Sequence, residues 1–276
     1  MKIIDAHTHI FPAKIAFKAS ESIGDFYGIP MSSDASVDSL LKCEEELGAS
    51  HALVCSSALS PAQVESINNF IGGEVAKHPN LIGFAAMHKD YDNFKEELAR
   101  VKELGLRGVK FHNDMQGYDI DDPKAFPIYK AMEEEGLAVL FHMGDNRYDF
   151  SAPEKMVKVA KAFPGLTVIG AHFGGYRRWN DSFHNPKLDN VYYDTSSSLF
   201  MLEKSTAERF IDHFGPDRFF FGSDFPMWNP KKEYEERFNR LNLSDDVREM
   251  ILYKNFARVF KQTYGLSPQS YRSSEV

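Results

Sequence analysis

The sequence is poor in the features that would commit it to several large protein classes. Two cysteines in 276 residues, Cys43 and Cys55, are too few for a disulfide scaffold and wrongly spaced for a Cys-x-x-Cys metal site. They read as reduced thiols of a cytoplasmic protein. No apolar run approaches the ~20 residues of a membrane-spanning helix, and Met1 leads straight into an apolar stretch with no charged and then apolar leader. Lysine and arginine form no basic stripe, and a formal net charge of -8 opposes non-specific nucleic-acid binding. No Gly-x-Gly-x-x-Gly follows the first apolar run, so dinucleotide binding loses its main support. Linkers, internal repeats and low-complexity tracts are missing too. What is left is an ordinary globular composition, 43% hydrophobic and 26% charged, whose expected partner is a small molecule rather than nucleic acid or membrane.

Short apolar runs recur along the chain with amphipathic stretches between them. Those at 3–9, 52–55, 81–86, 108–112, 138–144, 166–175, 191–195 and 218–226 read as eight strands. Helical spacing marks 37–47, 61–77, 94–104, 125–135, 154–163 and 202–214, and 244–260 reads as capping helices. Residues 13–35 read as a long Gly/Ser-containing loop that shapes a pocket. Strands that are apolar along their whole length suit a parallel sheet covered on both faces. The expected fold is therefore α/β, a closed (β/α)8 TIM barrel over residues 1–265 as one domain, with 266–276 as a C-terminal tail.

Chemistry-bearing residues sit at matching places in this pattern. Side chains alternate along a strand, so His7 and His9 share a face about 7 Å apart and can converge on one cation. His112, His142, His172 and Asp224 each end an apolar run. In a barrel those ends meet on the face where active sites are built. His51, His78, His88, His184 and His213 begin strands or lie in helices and loops, where a surface role is expected. Lys110 and His112 share a strand face. Arg177, Arg178 and Trp179 follow the sixth strand; guanidinium forks match carboxylates, and an ion-paired solvated loop accounts for them equally well. Asp5, two residues before His7, is expected on the same side, as an outer partner or as a polar residue at a strand centre. Phe11, Tyr148 and Trp228 follow strand ends and are expected to line the pocket.

The runs His7-Thr-His-Ile-Phe-Pro12, Phe141-His-Met-Gly144, Ala171-His-Phe-Gly-Gly-Tyr-Arg-Arg-Trp179 and Phe221-Gly-Ser-Asp-Phe-Pro226 resemble the amidohydrolase superfamily. More narrowly they resemble its amidohydrolase-related branch, which includes aminocarboxymuconate-semialdehyde decarboxylase-like enzymes. The resemblance covers nearly the whole chain. It implies one divalent metal ion, most often Zn²⁺ with Mn²⁺ as an alternative, held by His7, His9, His142 and Asp224 with a water. Three nitrogens and a carboxylate suit such an ion, and an open position is the mark of a catalytic site. His172 is then the general acid or base, and Asp224 doubles as ligand and proton acceptor. Lys110, His112 and Arg177 are the expected substrate contacts. Some relatives carboxylate a lysine on the fourth strand to bridge two metals, which gives Lys110 a second reading. Metal-dependent hydrolysis of an amide, lactone or ester in a small carboxylate-bearing substrate is the first expectation. Non-oxidative decarboxylation of a small unsaturated or aromatic acid is the second, and a binding barrel without catalysis stands outside both. Relatives commonly dimerise, so a homodimer is a further expectation.

Overall fold

All eight expected strands form: β1 (Ile4–His9), β2 (His51–Cys55), β3 (Leu81–Ala86), β4 (Gly108–Phe111), β5 (Ala138–Phe141), β6 (Val168–Gly170), β7 (Val191–Asp194) and β8 (Phe219–Phe220). In this computed structural model the described residues are 1–260, so the expected tail at 266–276 lies outside them. The strands pair in chain order as one parallel sheet. Beyond the short β8 the chain returns to β1. Phe225 bridges Thr8 in parallel, His9 N–H donates to the Phe225 carbonyl at 2.7 Å, and Asp224 N–H donates to the His7 carbonyl at 2.8 Å. The result is a (β/α)8 barrel.

The absence of polar alternation in the strands has a direct cause. One set of strand residues, including Leu53, Phe84, Leu140, Ile169 and Phe220, fills the barrel interior. The alternate set, including Val54, Val109, Phe111, Phe141 and Phe219, packs beneath the surrounding helices. β1 departs from this rule. Its register against β2 shifts between Asp5 and Thr8, and the irregularity turns Asp5 and His7 away from one another. Asp5 therefore does not lie one step below His7 in the interior, as simple alternation predicts. Its Oδ1 instead accepts the N–H groups of His7 at 3.1 Å and Ser223 at 2.9 Å, tying the first strand to the last.

Helices cover the barrel between strands: α1 (Ala13–Tyr27), α2 (Val37–Leu47), α3 (Val64–Lys77), α4 (Phe94–Glu103), α5 (Asn113–Gln116), α6 (Phe126–Glu135), α7 (Pro153–Ala162), α8 (Trp179–Phe183) and α9 (Lys204–Phe214). Their ends follow local chemistry. Ser36 Oγ accepts the Ser39 N–H at 3.2 Å to start α2. α1 corrects the expected loop at 13–35, and Gly28, at φ 64°, ends it in a left-handed turn. The loop reading fails because the helically spaced apolar residues of α1, Ala16, Ala19, Ile23 and Phe26, lie among Gly and Ser and turn mostly to the cavity rather than to the core. α1 buries only Ala16 and Ser20 and leaves Phe17 65% exposed. The sixth run is also shorter than expected: the strand stops at Gly170 and the chain bends through a 3-10 turn at His172–Gly174. His88 is buried against Tyr118 rather than placed at the surface. No described helix is long and apolar enough to cross a membrane.

Candidate active site

β1 and the chain beyond β8 bring three ligand-type atoms together. His7 Nε2 lies 3.1 Å from His9 Nε2, His9 Nε2 lies 3.2 Å from Asp224 Oδ1, and His7 Nε2 lies 3.5 Å from the same oxygen. Donors that each stand about 2.1 Å from one tetrahedral ion are separated by roughly 3.4 Å, so the donor set fits a divalent metal. The two imidazole nitrogens facing at 3.1 Å are held either by a shared cation or by one N–H···N hydrogen bond between them.

Each of the three atoms is aimed from behind. His7 is neutral: burial and the nearby Lys110 push it down to about 4, against Asp194 and Asp224. Its Nδ1 is held by Asp194 Oδ2 at 2.9 Å and Ser196 Oγ at 3.0 Å, which turns Nε2 to the centre. His9 is opposite in character. Burial works against its charge, but Cys55 and Asp224 outweigh it and push it up to about 9. Cys55 Sγ lies 3.6 Å from His9 Nδ1 and 3.4 Å from the Thr8 carbonyl. Asp224 stays ionised despite burial because His7 and His9 hold it well below the usual carboxylate range. Its Oδ2 accepts the Ser197 hydroxyl at 2.5 Å, and the Trp228 indole N–H donates to the same hydroxyl oxygen at 3.1 Å.

β5 and β6 supply the other side. His142 Nδ1 lies 3.1 Å from His172 Nε2, and its ring stacks on His112 with centroids 3.9 Å apart. His142 Nε2 faces the Tyr27 hydroxyl at 3.4 Å and Asp114 Oδ2 at 3.6 Å. His172 donates its backbone N–H to Asp194 Oδ1 at 3.0 Å, and its Nδ1 meets Ser196 Oγ at 2.9 Å. Lys110 Nζ is buried 3.0 Å from His7 Nε2, and burial lowers its pKa. His172 and Asp224 both adopt left-handed backbone, φ 62° and 64°. For residues other than glycine this costs about 1–3 kcal/mol each and collects at functional sites. Gly144, just past β5, is required by close approach: a Cβ there would collide with the Tyr176 backbone, to which Gly144 bridges.

A cavity of about 390 Å³ opens over these groups. His9, Lys110, His112, His142, His172 and Asp224 line it from the strand ends, while Ile23, Phe26 and Tyr27 line it from α1. Of the three aromatics expected in the pocket, Phe11 lines it and Tyr148 and Trp228 do not. Arg177 is exposed, with its guanidinium 5.3 Å from the Tyr176 ring centroid, and does not line the cavity. Arg178 pairs with Asp149 and Asp181. Asp194, Asp114, Tyr27 and the Cys55 thiol join the site beyond the residues expected there from the sequence. Asp194 ends β7 and Cys55 ends β2, so the strand-end rule that selected the histidines reaches both. Burial pushes Asp114 up to about 7. Nothing in the local sequence marks Tyr27.

Comparison with known proteins agrees with this architecture. The sequence profile described as amidohydrolase matches residues 4–262. The chain is 33% identical over 79 residues to 2-amino-3-carboxymuconate-6-semialdehyde decarboxylase of Dictyostelium discoideum, an alignment covering 28% of this chain and only 22% of that protein. The crystal structure of a 2,6-dihydroxybenzoate decarboxylase complexed with 2,6-dihydroxybenzoate superposes with a TM-score of 0.73 at 19% identity, covering 95% of this chain and 100% of the other. A dihydroxybenzoic acid decarboxylase from a Polaromonas species, with bound manganese and the inhibitor 2-nitroresorcinol, superposes at 0.72 and 17% identity over 94% and 96%. At such identities the two structures establish the fold alone.

Proposed function

Because the chain belongs to the amidohydrolase family, whose profile spans residues 4–262, we propose that it is a metal-dependent decarboxylase of a small unsaturated or aromatic carboxylic acid. The hydrolase expectation gives way to it, since the curated relative and both superposed structures bear decarboxylase names. The observation that carries the reading is the make-up of the cavity. Apolar and aromatic walls enclose a nest of imidazoles, and among the described residues Lys110 is the only lysine or arginine lining it. Such a space suits a flat acid with one principal anionic group.

We assign a divalent ion, zinc or manganese, to His7, His9, His142 and Asp224, where it supplies Lewis acidity at the cavity floor. Lys110 offers the substrate carboxylate a buried ammonium donor, and His112 borders the same space. Tied at Nδ1 to Ser196, His172 presents Nε2 as its exchanging nitrogen. The C–C bond to the carboxylate breaks, its electron pair stays on the substrate carbon, and His172 Nε2, having first taken up a proton from water, delivers it to that carbon in place of departing carbon dioxide. Asp224 and Asp194 stay ionised and offset charge on the histidines.

The test pairs elemental analysis with a panel of small acids. Wild-type protein should hold about one equivalent of divalent metal, lost in a His7→Ala, His9→Ala double variant, and should release carbon dioxide from at least one acid. Turnover of lactones or amides without such release overturns the decarboxylase reading. Two equivalents of metal would move Lys110 to the role of a bridging carbamate.

A further inference from the structure

Tyr27 reaches the cavity from outside the barrel. It is the last residue of α1, a turn that Arg147 holds by donating to the Phe26 carbonyl at 2.5 Å and stacking 4.7 and 5.6 Å from the Phe26 and Tyr27 ring centroids. The hydroxyl then stands 2.7 Å from His112 Nε2 and 3.4 Å from His142 Nε2. Which group donates follows from the far side of the His112 ring. The Met115 N–H, bonded to the His112 carbonyl at 3.0 Å, is shared with His112 Nδ1 at 3.4 Å, so in the neutral ring the proton sits on Nε2 and goes to the Tyr27 oxygen. The phenol's own proton must point elsewhere. Among the described residues its other hydrogen-bond neighbour is His142 Nε2, at the long end of the range. A hydroxyl supported by one donor and weakly satisfied as a donor itself is prepared for an oxygen that carries charge.

We propose that the Tyr27 hydroxyl binds the substrate, donating to an anionic oxygen of a small carboxylic acid in the cavity, with His112 as its supporting donor. Tyr27 then grips the acid from the α1 side while Lys110 faces it from the strand ends. This rests on the acid-substrate part of the reading above and is independent of whether the carboxylate is later lost.

Isothermal titration of the full-length, metal-loaded protein tests it, with benzoate as the charged probe and benzyl alcohol as an uncharged one of similar size. Tyr27→Phe keeps the ring and removes only the hydroxyl. It should weaken benzoate roughly ten- to a hundredfold while metal content stays unchanged and benzyl alcohol binding shifts by no more than about twofold. His112→Ala should also weaken benzoate, and the double variant should lose little beyond Tyr27→Phe alone, since the two groups act as a unit. Equal benzoate affinity in wild type and Tyr27→Phe overturns the proposal, as does equal weakening of both probes, which would make the ring a wall and nothing more. Wild-type protein that holds its metal and binds no benzoate overturns this proposal together with the acid substrate. Benzoate binding that depends on Tyr27, without carbon dioxide release from any acid, would leave the proposal standing and remove the decarboxylase.

Discussion

Asp194 accepts four hydrogen bonds, from His7 Nδ1, the His172 and Ser196 backbone N–H groups and the Ser196 hydroxyl. One carboxylate thereby fixes both the His7 ring and the backbone that carries His172, and His7 with the other contacts holds it well below the usual carboxylate range despite burial. Asp194→Asn keeps the shape but turns a donor toward His7 Nδ1, which favours the wrong tautomer. Metal affinity measured by competition with a chromophoric chelator should fall about 10–100-fold, with little loss of folded protein. An unchanged affinity would mean that His7 needs no such partner. The same residue shows where sequence reading stops. His7, His9, His142, His172 and Asp224 are legible because imidazoles at strand ends have few structural uses. Asp194 ends its strand just as they do, yet an aspartate beside Thr195 reads equally well as the start of a turn. Tyr27 acts through a helix whose placement no local pattern reveals.

Among the elements, α1 and α2 make opposite bargains with the barrel. α1 buries two residues of its own and is fastened at its end by Arg147, which also pairs with the buried Asp145. Arg147→Ala should raise amide exchange across 13–27 roughly five- to thirtyfold, as about 1–2 kcal/mol of fastening is lost, with the strands unaffected. Slow exchange retained in α1 would show that its contacts with the mouth suffice. α2 instead buries Glu44 between the helix and the barrel wall, with its carboxyl group set against that of Asp5. Burial, with Asp5 close by, raises its pKa well above the ordinary glutamate value. The folded chain therefore keeps this proton at pH values where the unfolded chain has released it. The stabilisation is complete below the unfolded value and is lost as pH rises toward the folded one. Glu44→Gln does not titrate, so its unfolding free energy in urea relative to wild type should climb as the pH rises above about 5, by about 1.4 kcal/mol for each unit the folded value is raised. Parallel profiles would place the charge elsewhere. The strands and most helices were legible because their apolar residues face a core. α1 was not, because its contribution is a cavity wall rather than a buried stripe.

At the scale of the molecule, the barrel gathers residues from β1, β4, β5, β6 and the chain beyond β8 onto one end, and α1 roofs that end over a cavity of about 390 Å³. Closure of the sheet through Thr8 and Phe225 is what brings Asp224 to His7 and His9, so site and fold share their last hydrogen bonds. The eight-strand architecture followed from apolar runs with helical spacing between them, whereas the register shift in β1 and the left-handed backbone at His172 and Asp224 leave no trace in composition or periodicity. The central claim is that this end of the barrel exchanges a carboxylate for a proton supplied by His172. Its most direct test is incubation of metal-loaded protein with carboxyl-labelled aromatic and unsaturated acids in deuterium oxide. The account predicts labelled carbon dioxide and a product with one deuterium at the carbon that lost it, with turnover about 10²–10⁴ slower in His172→Ala at unchanged metal content. Label retained in the product, with a C–N or C–O bond cleaved instead, would contradict it.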